Sequence, residues 1–258
     1  MAKPFPGSLL AILLAAPATA HAAGGPDDRD KVLPCRPTIA CTADLVSPGS
    51  IEIEAGYLYR HLDSGPQRTT PFLLKLTLAP WVQLQVGSNG YTAAEGARYM
   101  DNVVLGAKFH LFDQRGYRPA LAFSAAVSMP TPAGQEGYLR MWDLLFTAYG
   151  TKDFGPVHAD LNVGLDVFRL DGGPVPQGWG ALALSADLVA PFSAMLEGYA
   201  FSNAAPASTR DGGILFAITH SPRKWLTFDI GGDVGVFPSL RAFSVFMGLT
   251  IIPAVFWR

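Results

Sequence analysis

The sequence predicts an all-β protein: an antiparallel up-and-down transmembrane β-barrel of about twelve strands, preceded by a short irregular N-terminal segment. Three observations predict it. The N-terminus is laid out as an export signal. The chain beyond it alternates apolar and polar residues in segment after segment, and the connections between those segments alternate between short and long.

The export signal comes first. Lys3 supplies a positive charge, Ser8 to Ala16 form a short apolar run, and the small-x-small sites Ala18-Thr19-Ala20 and Ala20-His21-Ala22 follow. This reads as a secretory signal peptide over residues 1–22, cut after Ala20 or Ala22. The apolar run is well short of the roughly 20 residues that a spanning helix needs.

About 235 residues of the 258 remain after such a cut, enough for one large domain. They are unusually apolar. Hydrophobic residues make up 49% of the sequence, charged residues 16%, and the mean hydropathy is +0.23. No later run is long and apolar enough for a transmembrane helix. An exported apolar chain of this kind spreads its apolar residues over alternate strand positions. A net charge of −2 offers no electrostatic basis for binding nucleic acid.

Residues 23–49 are rich in Pro, Gly and Asp and lack periodicity, so they read as an irregular segment lying before the barrel of residues 50–258. Cys35 and Cys41 stand there with five residues between them. In an oxidising compartment that spacing leads to the expectation of a disulfide closing a small loop.

From Ser50 onward a two-residue period sets in. Ile51, Ile53, Ala55, Tyr57 and Tyr59 oppose Glu52, Glu54, Gly56 and Arg60. Phe72, Leu74, Leu76 and Leu78 oppose Lys75 and Thr77, and after a turn at Ala79-Pro80, Val82, Leu84 and Val86 oppose Gln83 and Gln85. Val103, Leu105, Ala107 and Phe109 oppose Asn102, Lys108 and His110, and Leu121, Phe123, Ala125 and Val127 share the next apolar face. Around 142–152 the alternation weakens. It returns with Val157, Ala159, Leu161, Val163 and Leu165 against His158, Asp160, Asn162 and Asp166, then with Leu182, Leu184 and Ala186 against Ser185 and Asp187. Residues 193–202 carry Glu197 among apolar and small residues, and 213–220 are mostly apolar. Leu226, Phe228 and Ile230 oppose Thr227 and Asp229; Phe243, Val245, Met247, Leu249 and Ile251 close the series. The short connections fall at 79–80, 113–117, 153–156, 190–191 and 221–224, and the longer ones at 62–69, 88–99, 130–138, 171–178, 203–211 and 236–240.

Alternation alone also fits a soluble barrel with an apolar interior. The opposed face decides. It carries Glu52, Glu54, Lys75, Lys108, Asp160, Asp187, Glu197, Asp229 and Asp233 among many small residues. That is sparser than a soluble exterior, which is usually roughly a quarter or more charged. These nine charges are therefore expected to face a lumen. They suit either a constriction that selects solutes or an ion-pair network that fills the barrel and holds the N-terminal segment as a plug. Tyr57, Tyr59, Trp81, Tyr91, Tyr99, Trp142, Tyr149, Trp179, Tyr199, Trp225 and Trp257 fall near strand ends, as aromatic girdles do.

A resemblance follows from short motifs in a set order. Thr70-Pro71-Phe72-Leu73-Leu74-Lys75 with Trp81-Val82-Gln83-Leu84-Gln85-Val86-Gly87, then Asp101 to Lys108, Pro119 to Ala122 ending in Met129-Pro130-Thr131, Leu161-Asn162-Val163-Gly164, and Phe228-Asp229-Ile230-Gly231-Gly232 resemble the transporter-like outer-membrane barrel family of the MetA pathway of phenol degradation. The resemblance covers about residues 50–252 and implies a passive channel for small, apolar or aromatic solutes. Pro132 stands where that family has glycine, and the chain ends Phe256-Trp257-Arg258 rather than on an aromatic residue.

The expected partners are outer-membrane lipid, the barrel-assembly machinery and a small-molecule solute. No catalytic set, metal cluster, cofactor motif or phosphate loop is apparent. A closed-lumen structural or surface-interaction barrel is the alternative. A lipid-modifying enzyme is a second, resting on His61 near Ser64, or on His158.

Overall fold

A strand of period two turns one set of side chains inward and the other outward, so the sequence pattern becomes a wall once neighbouring strands pair. The computed structural model describes residues 31–257 apart from 64, 95, 132–141, 171–172, 203–210 and 237–240. The signal over 1–22, residues 23–30, Ser64, Pro132 and Arg258 lie outside the described residues.

The strands are β1 (Ser50–Leu62), β2 (Gly65–Thr69), β3 (Phe72–Ala79), β4 (Val82–Ser88), β5 (Tyr91–Ala94), β6 (Ala97–Met100), β7 (Val103–Phe112), β8 (Ala120–Met129), β9 (Asp143–Phe154), β10 (Val157–Leu170), β11 (Gly173–Asp187), β12 (Phe192–Phe201), β13 (Asp211–Arg223), β14 (Leu226–Gly235) and β15 (Arg241–Val255). Twelve of them, β1, β3, β4 and β7 to β15, pair antiparallel in that order, and β15 pairs back with β1 to close the barrel. No wall edge is left open, as a bilayer demands.

β2, β5 and β6 extend the wall beyond the barrel at the long-loop end. They continue β3, β4 and β7 across breaks at Thr70-Pro71, Asn89-Gly90 and Asp101-Asn102. The expected loops at 62–69 and 88–99 are thus partly strand. Residues 173–178 of the expected loop at 171–178 are strand too, because β11 pairs with β10 from Gly173 onward. Pro174 and Pro176 are tolerated there because, among the described residues, the β11–β12 ladder begins at Trp179, so the prolines face one described partner strand. Pro253 fits for a similar reason. It lies past the last β14 partner, Ile251, and within the β1–β15 register shift between Ile51 and Ile53.

The faces are inverted relative to a soluble protein. On β10, His158, Asp160, Asn162 and Asp166 are buried, while Leu161, Val163 and Leu165 are 53%, 55% and 45% exposed. The apolar face points outward. Trp81, Trp225 and Trp257 are exposed at the short-turn end, and Tyr91 and Trp142 at the other, as two girdles require. Tyr149, Trp179 and Tyr199 correct that expectation, since all three are buried. Their odd positions on β9, β11 and β12 share the inward phase of Thr147, Ala181 and Glu197. Strand parity overrides nearness to a strand end.

Val163→Arg, on the outward face near the middle of β10, is expected to destabilise the barrel by about 2–4 kcal/mol. Reversible unfolding from phospholipid vesicles measures this. The same substitution at Tyr117, fully exposed in the β7–β8 turn, is expected to leave stability unchanged.

Candidate functional site: the N-terminal segment inside the barrel

A closed wall spends its backbone N–H and C=O groups on its own ladder, so anything within the barrel must be held by inward side chains. Residues 31–49 lie there. Val32, Cys35, Thr38 to Ala43 and Val46 are buried, and apolar members of this run pack against the inner wall.

The segment enters at the short-turn end, where the Val32 N–H donates to the Lys224 carbonyl in the β13–β14 turn at 2.9 Å. Glu52 and Lys75 are a cross-strand pair on β1 and β3, and Glu54 lies two residues along. The Lys75 ammonium bridges both carboxylates, with 2.6 Å to Glu54. The three side chains also bind the segment's backbone. The Leu33 N–H donates to Glu52 at 2.7 Å, the Cys35 N–H donates to Glu54, and Lys75 Nζ donates to the Leu33 carbonyl at 2.7 Å. Charges so deep are tolerable only when paired and hydrogen-bonded in this way.

Arg36 reaches the closing seam between β1 and β15. Its guanidinium meets Asp229 at 3.3 Å and donates to the Met247 carbonyl at 3.1 Å. It lies flat against Gly56 and Gly248. A Cβ at either position would stand 2.3 Å from a guanidinium atom, so the two glycines make room for it.

At the tip the Ile39 and Ala40 N–H groups converge on the Glu197 carboxylate at 2.7–2.9 Å. Thr38 Oγ1 closes the turn by donating to the Ala40 carbonyl at 3.0 Å. Ile39 and Ala40 pack among Trp179, Met195, Tyr199, Leu215 and Phe246. The Asn162 amide then pairs with the Cys41 backbone in both directions, accepting from its N–H at 2.5 Å and donating to its carbonyl at 2.8 Å. On the return limb Lys108 Nζ donates to the Thr42 carbonyl, and the Ala43 N–H donates to Thr151 Oγ1 at 2.6 Å. Thr151 in turn donates to Asp160 at 2.5 Å. Lys108 also sits 4.4 Å over the Tyr149 ring.

The structure does not show the expected Cys35–Cys41 disulfide: the two Sγ atoms stand 2.7 Å apart, beyond the ~2.05 Å of an S–S bond. The Cys35 backbone is held by Glu54 on β1 and the Cys41 backbone by Asn162 on β10.

Six of the nine predicted charges therefore bind the segment directly: Glu52, Glu54, Lys75, Lys108, Glu197 and Asp229. Asp160 acts through Thr151. Asp187 shares the inward phase of β11 but is exposed at the short-turn mouth, where it accepts from the Ser193 hydroxyl at 2.7 Å. Asp233 lies beyond the tip, accepting from the Tyr199 hydroxyl at 3.1 Å. Arg36, Asn162 and Thr151 were not singled out from the sequence. Strand phase marks Asn162 and Thr151 as inward, whereas nothing periodic marks Arg36. Outside the spanning strands, burial lowers Lys31 to about 7 against the pull of Asp187 and Asp153.

Above the tip, toward the long-loop end, lies a chamber of about 80 Å³ floored by Pro37 and Ile39.

Neither a protein-family model nor a curated protein matches the sequence. Among solved structures, the fold is similar to that of an outer-membrane channel from Pseudomonas putida F1, with a TM-score of 0.61 at 10% identity over 81% of this chain and 97% of that one. It is also similar to the NanC porin, with a TM-score of 0.55 at 7% identity over 78% of this chain and 98% of that one. The fold is that of outer-membrane β-barrels.

Lys75→Met leaves two buried carboxylates without their cation and is expected to cost about 3–5 kcal/mol. Equilibrium unfolding in lipid reads this. The triple variant Glu52→Gln, Glu54→Gln, Lys75→Met is expected to recover most of the loss. Separately, Glu197→Ala is expected to speed hydrogen exchange at the Ile39 and Ala40 amides while leaving wall amides protected.

Proposed function

We infer that the chain is an outer-membrane channel for small solutes whose lumen is narrowed by its own N-terminal segment. The observation that carries this reading is the manner in which residues 31–49 are held. Their described anchors are largely side-chain bonds from separate wall strands, not a continuous ladder, so the wall is complete without them. The likeness in fold to outer-membrane channels supports the reading, and so does a lumen wide enough to admit a folded-back chain. Apolar residues beside the tip, among them Leu58, Leu73, Leu215 and Phe246, favour a solute with an apolar or aromatic body.

In this reading the exported barrel sits in the outer membrane with its short turns toward the periplasm. Its outward apolar band meets lipid, and the assembly machinery handles its last strand. The two histidines considered for hydrolysis are engaged otherwise. His61 stacks on Phe243 at 5.2 Å, and His158 is clamped by Asp153 at 2.6 Å and Asp160 at 3.3 Å.

The density of polar bonds on the segment favours a second reading, a barrel whose lumen stays closed. Planar-bilayer recording separates the two. The channel reading expects small conductance steps from the full-length protein and several-fold larger ones after deletion of residues 31–46. Silence from both proteins, each heat-modifiable on a gel, sinks the channel and leaves the closed barrel.

A further inference from the structure

The chamber above the segment's tip contains one group whose chemistry is incomplete. Arg60, on the inward face of β1, is 2% exposed and lines the chamber. Its Nη1 donates to Gln67 Oε1 at 3.2 Å, and its Nη2 has no hydrogen-bond partner. No carboxylate among the described residues forms an ion pair with it. Two acids line the chamber, and both are engaged elsewhere: Glu54 by the Lys75 ammonium at 2.6 Å and Asp233 by the Tyr199 hydroxyl at 3.1 Å. Asp101, outside the lining, accepts from the Asn89 amide and the Asn102 N–H, each at 2.9 Å. Three other cations among the described residues contrast with this. Lys75 bridges two carboxylates, Arg36 faces Asp229, and Lys108 donates to the Thr42 and Asp44 carbonyls and to the Cys41 sulfur.

A buried guanidinium with an unused donor is costly unless something completes it. Its planar fork matches a carboxylate, which it binds in bidentate fashion. The remaining lining is apolar along one side, with Leu58, Leu73, Leu215 and Phe246, and the segment contributes Pro37 and Ile39.

We propose that this chamber is a binding site for a small organic carboxylate with an apolar body, its carboxylate received by Arg60 and its body laid against the aliphatic and aromatic wall and the segment's tip. The site rests on the channel reading and deepens it, since it places a selecting residue directly above the constriction. Arg60 is the specificity determinant, and the segment's tip is the floor of the binding surface.

The test uses the full-length barrel in lipid nanodiscs, titrated calorimetrically with benzoate, its neutral analogue benzamide and the cation benzylamine. The expected result is benzoate binding roughly tenfold or more tighter than benzamide, the discrimination given by one charge-assisted contact, with no binding of benzylamine. Arg60→Gln is expected to erase the preference and Arg60→Lys to retain part of it, both checked for heat-modifiability. Should Arg60→Gln fail to fold, Leu215→Trp, which fills the chamber and keeps Arg60, is expected to abolish binding of benzoate and benzamide. Equal binding of benzoate and benzamide to the unaltered protein overturns the proposal, as does a preference that survives Arg60→Gln. Benzoate binding to a barrel that never conducts, even without residues 31–46, overturns the channel reading and leaves the site standing. Conductance without benzoate binding does the reverse.

Discussion

Closure of the β-ladder is the constraint from which the rest follows. Once β15 pairs with β1, the wall has no edge, and its backbone polar groups are spent within it. A segment lying inside such a wall cannot join as a further strand. It must satisfy its own N–H and C=O groups with inward side chains. That accounts for the inner face as found: carboxylates receiving N–H groups, ammonium groups donating to carbonyls, and an asparagine pairing with the Cys41 backbone on both sides. The outer face has the opposite task and is apolar because lipid offers no partner for a polar group.

The same constraint explains why so many charges survive burial. An isolated carboxylate in this lumen would carry several kcal/mol of desolvation cost. Glu197 is relieved by two backbone amides, and Glu52 and Glu54 by amides and a shared lysine. Charge here does positional work: each group fixes a known point of the segment to a known strand.

Much of this was legible in the sequence because alternation survives wherever the inner face is polar. β1, β3, β10 and β14 show it plainly, and Glu52, Glu54, Lys75, Asp160 and Asp229 on them are buried. It blurred in β9, β12 and β13, and the structure gives the reason. There the inner face is itself apolar, with Leu145, Tyr149, Met195, Phe201, Leu215 and Ala217 turned inward, much of it to pack the segment and its tip. Two apolar faces erase a period of two. The segment's own contacts were not legible, since they depend on a path without periodicity, and Arg36 finds Asp229 from 193 positions away. Prolines misled at 173–178, where loop chemistry occupies a strand with one described neighbour.

The seat of Arg36 straddles the closing seam of the barrel. Its partners, Asp229 and the Met247 carbonyl, lie on β14 and β15, while the glycine it rests upon in β1 faces a second glycine, Gly248, across the closing seam. The arginine comes from the first described stretch of the chain and its receptor is completed by the last strand. The seat is therefore whole only in the closed circle, and a barrel open at that seam would offer Arg36 only part of it.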